Sequence, residues 1–398
     1  MKKLKRVLPI VLSMAIALGG VACNNTDTDP DTNGGETTAP GGEVDPGGDD
    51  EKESILYYTP FIGDFGLGDM GHRASLAAAE KYDLDFKMVE YGVDSSVAVN
   101  SFLDALETQH YDYVVASSWY ITDVTLANAE KYSDTDFILF DTGPDVDMSA
   151  HDNLYGITFG QNEGGFLVAA YSALMSETNT IGAAIRSDNP ILNDFGTGWL
   201  AGYKYMVAEH GMDDLNGIYS YIGEDSVQNT YETVRVLFDS GADYIWSVAG
   251  TNNLGAAQAA EENGGVDAGY NVIGVDYDQW EYFSSFENAE ETAVGYNNIV
   301  TSMLKNIEAS VALVFESLMG ESDEIQPGNS FYGVGNGGTG LVRNERYHQV
   351  TPDEVDAVIT DLEEKIKSGE IDVPSFFDFE TYEAFAEYRD NPAADFVP

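Results

Sequence analysis

Residues 154–185 read LYGITFGQNEGGFLVAAYSALMSETNTIGAAI, and this stretch decides the fold. It begins with a short apolar run at 154–159, continues through a segment of helical periodicity at 166–175, and ends in a second apolar run at 181–185. Short apolar runs on either side of a helix-length segment are typical of parallel strands joined by a crossover helix. The stretch therefore predicts a strand–helix–strand unit.

The same alternation extends in both directions along the chain. The predicted strands are 55–59, 86–91, 113–117, 137–141, 154–159, 181–185, 218–222, 244–248 and 272–276, and the predicted helices are 74–82, 166–175, 199–208, 231–238 and 254–262. Such repetition predicts an α/β fold with parallel sheets flanked by helices. The roughly 320 residues from 54 to 375 are too many for one comfortable core, so we expect two lobes.

The N-terminal residues are typical of an exported protein. Four basic residues among the first six precede an apolar stretch at 7–22, and Cys23, the only cysteine, follows it. A bilayer-spanning helix needs roughly 20 apolar residues, so a signal peptide over 1–22 with a lipidated Cys23 is the better interpretation. The alternative is a soluble secreted protein with an incidental thiol. The Asp-, Gly- and Thr-rich residues 23–53 predict a disordered acidic tether at the extracytoplasmic face of the cell membrane.

The charge and the motifs exclude several classes of function. The chain has 18 basic and 69 acidic side chains, a net charge of −51, and removal of the predicted signal leaves 14 against 69. Such a surface repels nucleic acid, so we expect no nucleic-acid partner. Neither a G-x-S-x-G nor an H-E-x-x-H motif occurs, and the five histidines are not spaced as ligands, so we predict no catalytic residue, metal site or cofactor.

The informative polar and aromatic residues follow the predicted strands. They are Trp119 after the third strand, Asp141 at the end of the fourth, residues 190–199 after the sixth, 250–255 after the eighth, and Asp276 at the end of the ninth. In open parallel sheets, ligands bind at the carboxyl ends of the strands. The sequence therefore predicts a ligand cleft there.

An ordered series of motifs in this chain resembles the basic membrane protein (BMP) family of substrate-binding lipoproteins, whose best understood members are purine nucleoside receptors. The motifs lie at 153–159, 161–167, 193–199, 201–202, 241–243, 249–250, 273–279, 301–306, 338–341 and 366–374. The resemblance implies a type I periplasmic-binding-protein fold, with a ligand cleft between two lobes. The implied partners are an ABC permease and its ATPase, and the implied oligomeric state is a monomer.

The resemblance also implies the division of the chain. It places crossovers near Phe159, after Asp278 and near Gly333. Lobe 1 would comprise residues 54–158 with about 297–328. Lobe 2 would comprise 159–296 with about 329–374, and residues 375–398 would form a C-terminal tail.

Two charged residues take binding roles through the resemblance. Asp276 would accept hydrogen bonds from ribose hydroxyls, and the alternative is that it caps the following turn. Asp278 is a second choice. Lys305, placed by the sequence at a helix start after 301–304, would reach into the cleft, and its alternative role is an ion pair with Asp276 or another acid.

The resemblance further implies an aromatic wall and two more acceptors. Phe195 or Trp199 would stack on a base while the other ring packs in the core, because residues four apart on a helix share a face. Trp119 would line the opposite wall. Asp69 and Asp141 would accept hydrogen bonds from the base or the ribose.

Two departures from the family pattern predict an altered specificity. His72 and Arg73 stand where the family has an aromatic residue and an asparagine, and they could stack on the ligand or donate a planar fork. Thr251, Asn252 and Asn253 follow Gly250 where the family prefers glycines, so Gly250 and Asn252 are further candidate contacts. A purine-nucleoside-like solute for an ABC importer is the expected function. The alternatives are a receptor or sensor for another heterocycle, such as a flavin, or for a sugar, and, less favoured, a nucleoside-processing enzyme.

Overall fold

The computed structural model describes residues 52–63, 66–92 and 94–391. The predicted signal peptide, Cys23 and nearly all of the predicted tether lie outside the described residues. The described strands are β1 Ser54–Thr59, β2 Asp85–Glu90, β3 Tyr113–Ser117, β4 Asp136–Phe140, β5 Leu154–Phe159, β6 Thr180–Ile185, β7 Asn216–Tyr221, β8 Tyr244–Val248, β9 Asn271–Asp276, β10 Ile299–Lys305, β11 Gly328–Tyr332 and β12 Thr339–Leu341.

The helices lie mostly between these strands, and short 3-10 turns supplement them. The described helices are α1 Leu67–Tyr82, α2 Ala98–Thr108, α3 Thr122–Asn128, α4 Gln161–Met175, α5 Pro190–Glu209, α6 Val227–Asp239, α7 Asn253–Glu262, α8 Gln279–Ser284, α9 Ala289–Thr292, α10 Ile307–Leu318, α11 Glu345–Val350, α12 Asp353–Lys367 and α13 Tyr382–Asp390. Within the described ranges, no helix combines the length and the apolar character needed to cross a bilayer.

The strands form two six-stranded sheets. One has the order β11-β5-β4-β3-β1-β2 and is parallel throughout. The other has the order β12-β10-β9-β8-β6-β7 and is parallel except for β12, which runs antiparallel to β10. Every residue of β5 and β8 is buried, as expected for strands covered on both faces. The predicted α/β fold with two lobes is confirmed.

The chain passes between the sheets three times, after β5, β10 and β11. Among the described residues, lobe 1 therefore comprises 54–159 and 306–332, and lobe 2 comprises 160–305 and 333–391. The second crossover comes later than the resemblance implied. The predicted assignment of residues from 297 to lobe 1 is wrong, because β10 pairs with β9 in the sheet of lobe 2.

Strand β10 also corrects the expectation of a helix start before Lys305. Its first five residues are fully or almost fully buried, and the run is continuously apolar apart from a threonine and a serine. A short apolar run of this kind has no periodicity that separates a strand from a buried helix. The strand places Lys305 at the carboxyl edge of the sheet.

Helices α4 and α5 pack at unusually close range because of their glycines. A Cβ atom on Gly198 would lie 1.8 Å from the carbonyl oxygen of Asn162, and one on Gly202 would lie 2.4 Å from that of Phe166. Only a residue without a side chain fits at such a backbone approach. These family-like motifs therefore serve helix packing as well as the cleft.

The C-terminal residues are not a tail. A 3-10 turn at Phe376–Asp378 and helix α13 pack on lobe 2, where Phe385 is fully buried and Tyr388 nearly so. Aromatic residues three apart place their rings on one face of a helix. That spacing was the sequence signal for an ordered, amphipathic segment, and the predicted tail at 375–398 is wrong for its described part.

Candidate functional site

The ends of the central strands bring the candidate residues together. Asp141 directly follows β4 of lobe 1, whereas Asp276 and Lys305 end the neighbouring strands β9 and β10 of lobe 2. The backbones of Asp141 (φ 64°) and Asp276 (φ 69°) occupy the left-handed region. Residues other than glycine adopt it at a cost, and such strained residues cluster at functional sites.

A buried ion pair connects the two lobes at this point. The Lys305 Nζ atom lies 2.6 Å from Asp141 Oδ1, and each side chain is only 2% exposed. The second oxygen of the Asp141 carboxylate accepts a hydrogen bond of 3.0 Å from Trp119 Nε1. The sequence had allowed Lys305 an acidic partner, and the structure identifies that partner as Asp141.

Aromatic rings complete the surroundings of the Lys305 ammonium group. Its Nζ atom lies 4.5 Å from the ring centroid of Phe195 and 5.6 Å from that of Phe159. Both distances are within the range of a cation–π attraction. Lys305, Asp141, Trp119, Phe195 and Phe159, here called the interlobe cluster, therefore combine a buried charge pair with flat apolar faces.

The structure separates the two aromatic candidates of α5. Phe195 belongs to the interlobe cluster, although it is only 2% exposed. Trp199 is fully buried in the core of lobe 2 and stacks on Tyr203 at a centroid distance of 6.2 Å. The structure therefore assigns Trp199 to packing, and Phe195 remains the candidate stacking ring on this helix.

Trp119 faces a cation that the sequence did not single out. The guanidinium carbon of Arg186, which follows β6 of lobe 2, lies 6.0 Å from the centroid of the Trp119 ring. Arg186 also lies 3.5 Å from Asp225 across their nearest charged atoms. A lone arginine after a strand has no motif that would reveal such a contact.

The candidates on α1 contact other parts of the molecule. The Asp69 carboxylate accepts a hydrogen bond of 2.7 Å from the backbone nitrogen of Gly63. His72 packs near the rings of Tyr57 and Phe86, and Arg73 forms an exposed ion pair with Glu308 of α10. His72 and Arg73 thus have partners within lobe 1, and their contact with a ligand stays a prediction.

The loop after β8 keeps its shape through side-chain amides. Gly250 is in the left-handed region (φ 56°) and accepts a hydrogen bond of 2.9 Å from Gln279 Nε2. The buried Asn253 donates to Gln279 and to the carbonyl oxygen of Ser247. Asn252 is half-buried and donates to Asp225, which also pairs with Arg186. The loop therefore tolerates the departure from a glycine-rich sequence.

Asp278, the second choice for the ribose, has a structural role. It accepts a hydrogen bond from the backbone nitrogen of Glu281 at the start of α8. It also accepts two from the side chain of Asn344, each 2.8 Å long. Its half-buried neighbour Asp276 remains the candidate ligand acceptor.

A buried acid beside Phe195 was missed in the sequence. Asp194 is 3% exposed and accepts hydrogen bonds from Gln161 Nε2, Ser375 Oγ and the backbone nitrogen of Phe376, at 2.8, 2.6 and 2.8 Å. Burial raises the pKa of Asp194 to about 6, and these hydrogen bonds oppose the rise. The described residues contain no group of three or more acids, histidines or cysteines able to hold a metal ion.

The sequence profile of PnrA-like ABC transporter substrate-binding proteins, named Bmp, matches residues 53–376. The chain belongs to this family. A similar relative is basic membrane protein A of Borreliella afzelii, which is 31% identical over 235 residues, covering 58% of this chain and 64% of that protein. The aligned part thus spans less than two thirds of that relative. Basic membrane protein B of Borrelia garinii subsp. bavariensis is 25% identical over 87% of this chain and 93% of its own length.

Solved structures support the fold. A solute-binding protein of an ABC transporter system from Aeropyrum pernix K1 superposes with a TM-score of 0.69 at 19% identity, covering 85% of this chain and 98% of that chain. At this identity the likeness concerns the fold alone. The Bmp family is one of binding proteins rather than enzymes, in agreement with the expectation of a non-catalytic chain.

Proposed function

We propose that this chain captures a purine-nucleoside-like solute in the cleft between its lobes and delivers it to the permease and ATPase of an ABC importer. The interlobe cluster supports this proposal best, because it joins a cation, a carboxylate and an aromatic wall, and Asp276 ends the strand beside the one that carries Lys305. Family membership supports the transport role.

The chemistry of the cleft matches a ribosylated base. Carboxylates such as Asp276 accept hydrogen bonds from adjacent sugar hydroxyls, and Lys305 can donate to a hydroxyl or a ring nitrogen. Stacking a base on an aromatic ring contributes about 1–3 kcal/mol, a role that suits Phe195 or Trp119. A ligand made of a sugar and a base would use both the hydrogen bonds to the charged groups and the stacking on an aromatic ring.

Binding would require the ligand to replace the direct contact between Lys305 and Asp141. Lys305 and Asp141 are almost inaccessible in this conformation, so the lobes must separate before a ligand can enter. A ligand hydroxyl that bonded both charges would replace their direct contact, and the lobes would close around it. Ligand binding then shifts the population toward a closed, liganded state.

The role of Asp276 is tested by Asp276→Ala, with Asp239→Ala on the exposed end of α6 as a matched control. Two hydrogen bonds to a charged acceptor contribute about 3 kcal/mol together, so we expect affinity for inosine or adenosine to fall about 100-fold by isothermal titration calorimetry. Asp239→Ala should bind as the parent chain does. Unchanged affinity in Asp276→Ala would show that Asp276 does not bind the ligand.

The proposed location is the extracytoplasmic face of the membrane, with Cys23 as the anchor. A diacylated cysteine would hold the protein there stably. Replacement of Cys23 by serine should release the protein from the membrane fraction of expressing cells. Retention of the variant in that fraction would contradict the lipid anchor.

A further inference from the structure

Residues 375–391 are here called the C-terminal strap, and the first two of them lie within the match to the family profile. The family profile ends at residue 376, whereas the strap continues through the 3-10 turn and α13.

The start of the strap is bonded to Asp194, the residue immediately before Phe195. Ser375 Oγ and the backbone nitrogen of Phe376 both donate to Asp194 Oδ1, and Gln161 of α4 donates to Asp194 Oδ2. The carboxylate is thus held from two sides inside the protein. Since Asp194 and Phe195 are adjacent on α5, these bonds also restrict the backbone that presents the Phe195 ring.

The strap makes a second contact with the loop between β6 and α5. Tyr382 donates a hydrogen bond of 2.5 Å to Asp188 Oδ2, and Asp188 Oδ1 accepts one of 2.8 Å from Asn193. Asn193 in turn accepts from Tyr221 of β7. The same loop begins with Arg186, which lies over the Trp119 ring of lobe 1.

The far end of the strap is anchored independently in lobe 2. Phe385 is fully buried there, and Lys204 Nζ lies 4.7 Å from the centroid of the Tyr388 ring. Lys204 also donates to the backbone oxygen of Asn391. Helix α13 can therefore stay attached when a single contact to the β6–α5 loop is removed.

We infer that the C-terminal strap holds the β6–α5 loop and the first turns of α5, and with them Phe195, in the position needed to stack on a ligand. Ser375 and Tyr382 are positioning residues that act through Asp194 and Asp188. A ring held in its bound position loses less conformational freedom on binding, which raises affinity without a new contact. The stacking role rests on the proposed function.

The test combines Ser375→Ala with Tyr382→Phe, so that α13 keeps its apolar anchor. Tyr231→Phe is the matched control, because it removes a comparable hydroxyl–carboxylate bond, to Glu262, on another surface of lobe 2. We expect the double variant to bind inosine about 10-fold more weakly and the control to bind as the parent chain does.

A double-mutant cycle with Phe195→Leu separates positioning from a general loss of stability. In the Phe195→Leu background, the strap substitutions should change affinity less than about twofold, because the ring they position is gone. An equal loss in both backgrounds would overturn the inference.

Hydrogen exchange without ligand distinguishes this inference from the proposed function. Amides of residues 190–196 should exchange faster in the strap variant than in the parent chain and in Tyr231→Phe. Unchanged exchange would refute the positioning role. Faster exchange with no nucleoside binding by any variant would support the restraint by the strap and refute the proposed function alone.

Discussion

The buried pair between Lys305 and Asp141 gives the most demanding prediction about stability. Methionine at position 305 keeps much of the lysine side chain's length but removes the ammonium group. Asp141 would then retain the Trp119 donor and lose the Lys305 ammonium group, 2.6 Å away, while its side chain stays 2% exposed. Removing one partner of a buried ion pair costs about 3–5 kcal/mol because it leaves an uncompensated charge.

The double variant Asp141→Leu with Lys305→Met removes both charges. Replacement of a whole buried pair by apolar residues is often neutral or stabilising by about 1–4 kcal/mol. Leucine at position 141 must adopt the left-handed backbone of Asp141 (φ 64°), which costs about 1–2 kcal/mol, so we expect the free energy of unfolding of the double variant to lie within about 2 kcal/mol of the parent value and above that of Lys305→Met. Trp119 is half-buried, so water can replace its lost acceptor.

Urea unfolding followed by circular dichroism measures both variants, with the slope of the unfolding curve checked for two-state behaviour. Lys305→Met alone should lower the midpoint strongly, and the second substitution should restore it. A loss below about 1 kcal/mol for Lys305→Met, or a double variant less stable than Lys305→Met, would refute the assignment of a buried interlobe pair.

Three further outcomes follow from packing and burial. Gly198→Ala should lower the free energy of unfolding by about 3 kcal/mol or more, because its Cβ would meet the Asn162 oxygen at 1.8 Å, whereas Gly335→Ala, with 3.8 Å of space, should be nearly neutral by urea unfolding. Trp199→Phe should lower stability by about 1–3 kcal/mol and leave inosine affinity unchanged, since the ring is core; a large loss of affinity would contradict this. Burial lowers the pKa of Lys204 to about 8. Protonation of Lys204 is therefore less favourable in the folded chain than in the unfolded chain. The resulting contribution to the free energy of unfolding is complete above pH 10.5 and is lost as the pH falls through 8. The stability of the parent chain minus that of Lys204→Met should rise by about 3 kcal/mol from pH 7 to 10.5, and a flat difference would contradict the shift.

The sequence predicted the central strands well, because nine apolar runs alternate with helical segments. It did not reveal β10 as a strand, since its apolar run carries no distinguishing period. Strand β11, with the sequence GNSFY, has an alternating burial pattern and little aliphatic character. Strand β12 has three residues and owes its place to pairing with β10. Such edge strands are defined by tertiary contacts rather than by local preference.

Only the part of the candidate site that follows from local sequence patterns could be predicted. The rule that ligands bind at strand ends located Asp141 and Asp276, and the resemblance added Lys305. The pairing of Lys305 with Asp141 spans 164 residues of sequence and two lobes, so no local pattern encodes it. The contact of Asp194 with Ser375 is separated by 181 residues and was missed for the same reason.

The most direct test of the central claim is the ligand preference of the intact protein. Thermal unfolding should be measured with inosine, adenosine, guanosine, free bases, riboflavin, ribose and glucose, each at the same concentration. A ligand that binds only the folded state raises the free energy of unfolding by mass action, by about 2.7 kcal/mol at 100 times its Kd, and the melting temperature rises with it. We predict that purine nucleosides raise it and that sugars without a base do not. Stabilisation by ribose or glucose with none by any nucleoside would contradict the account.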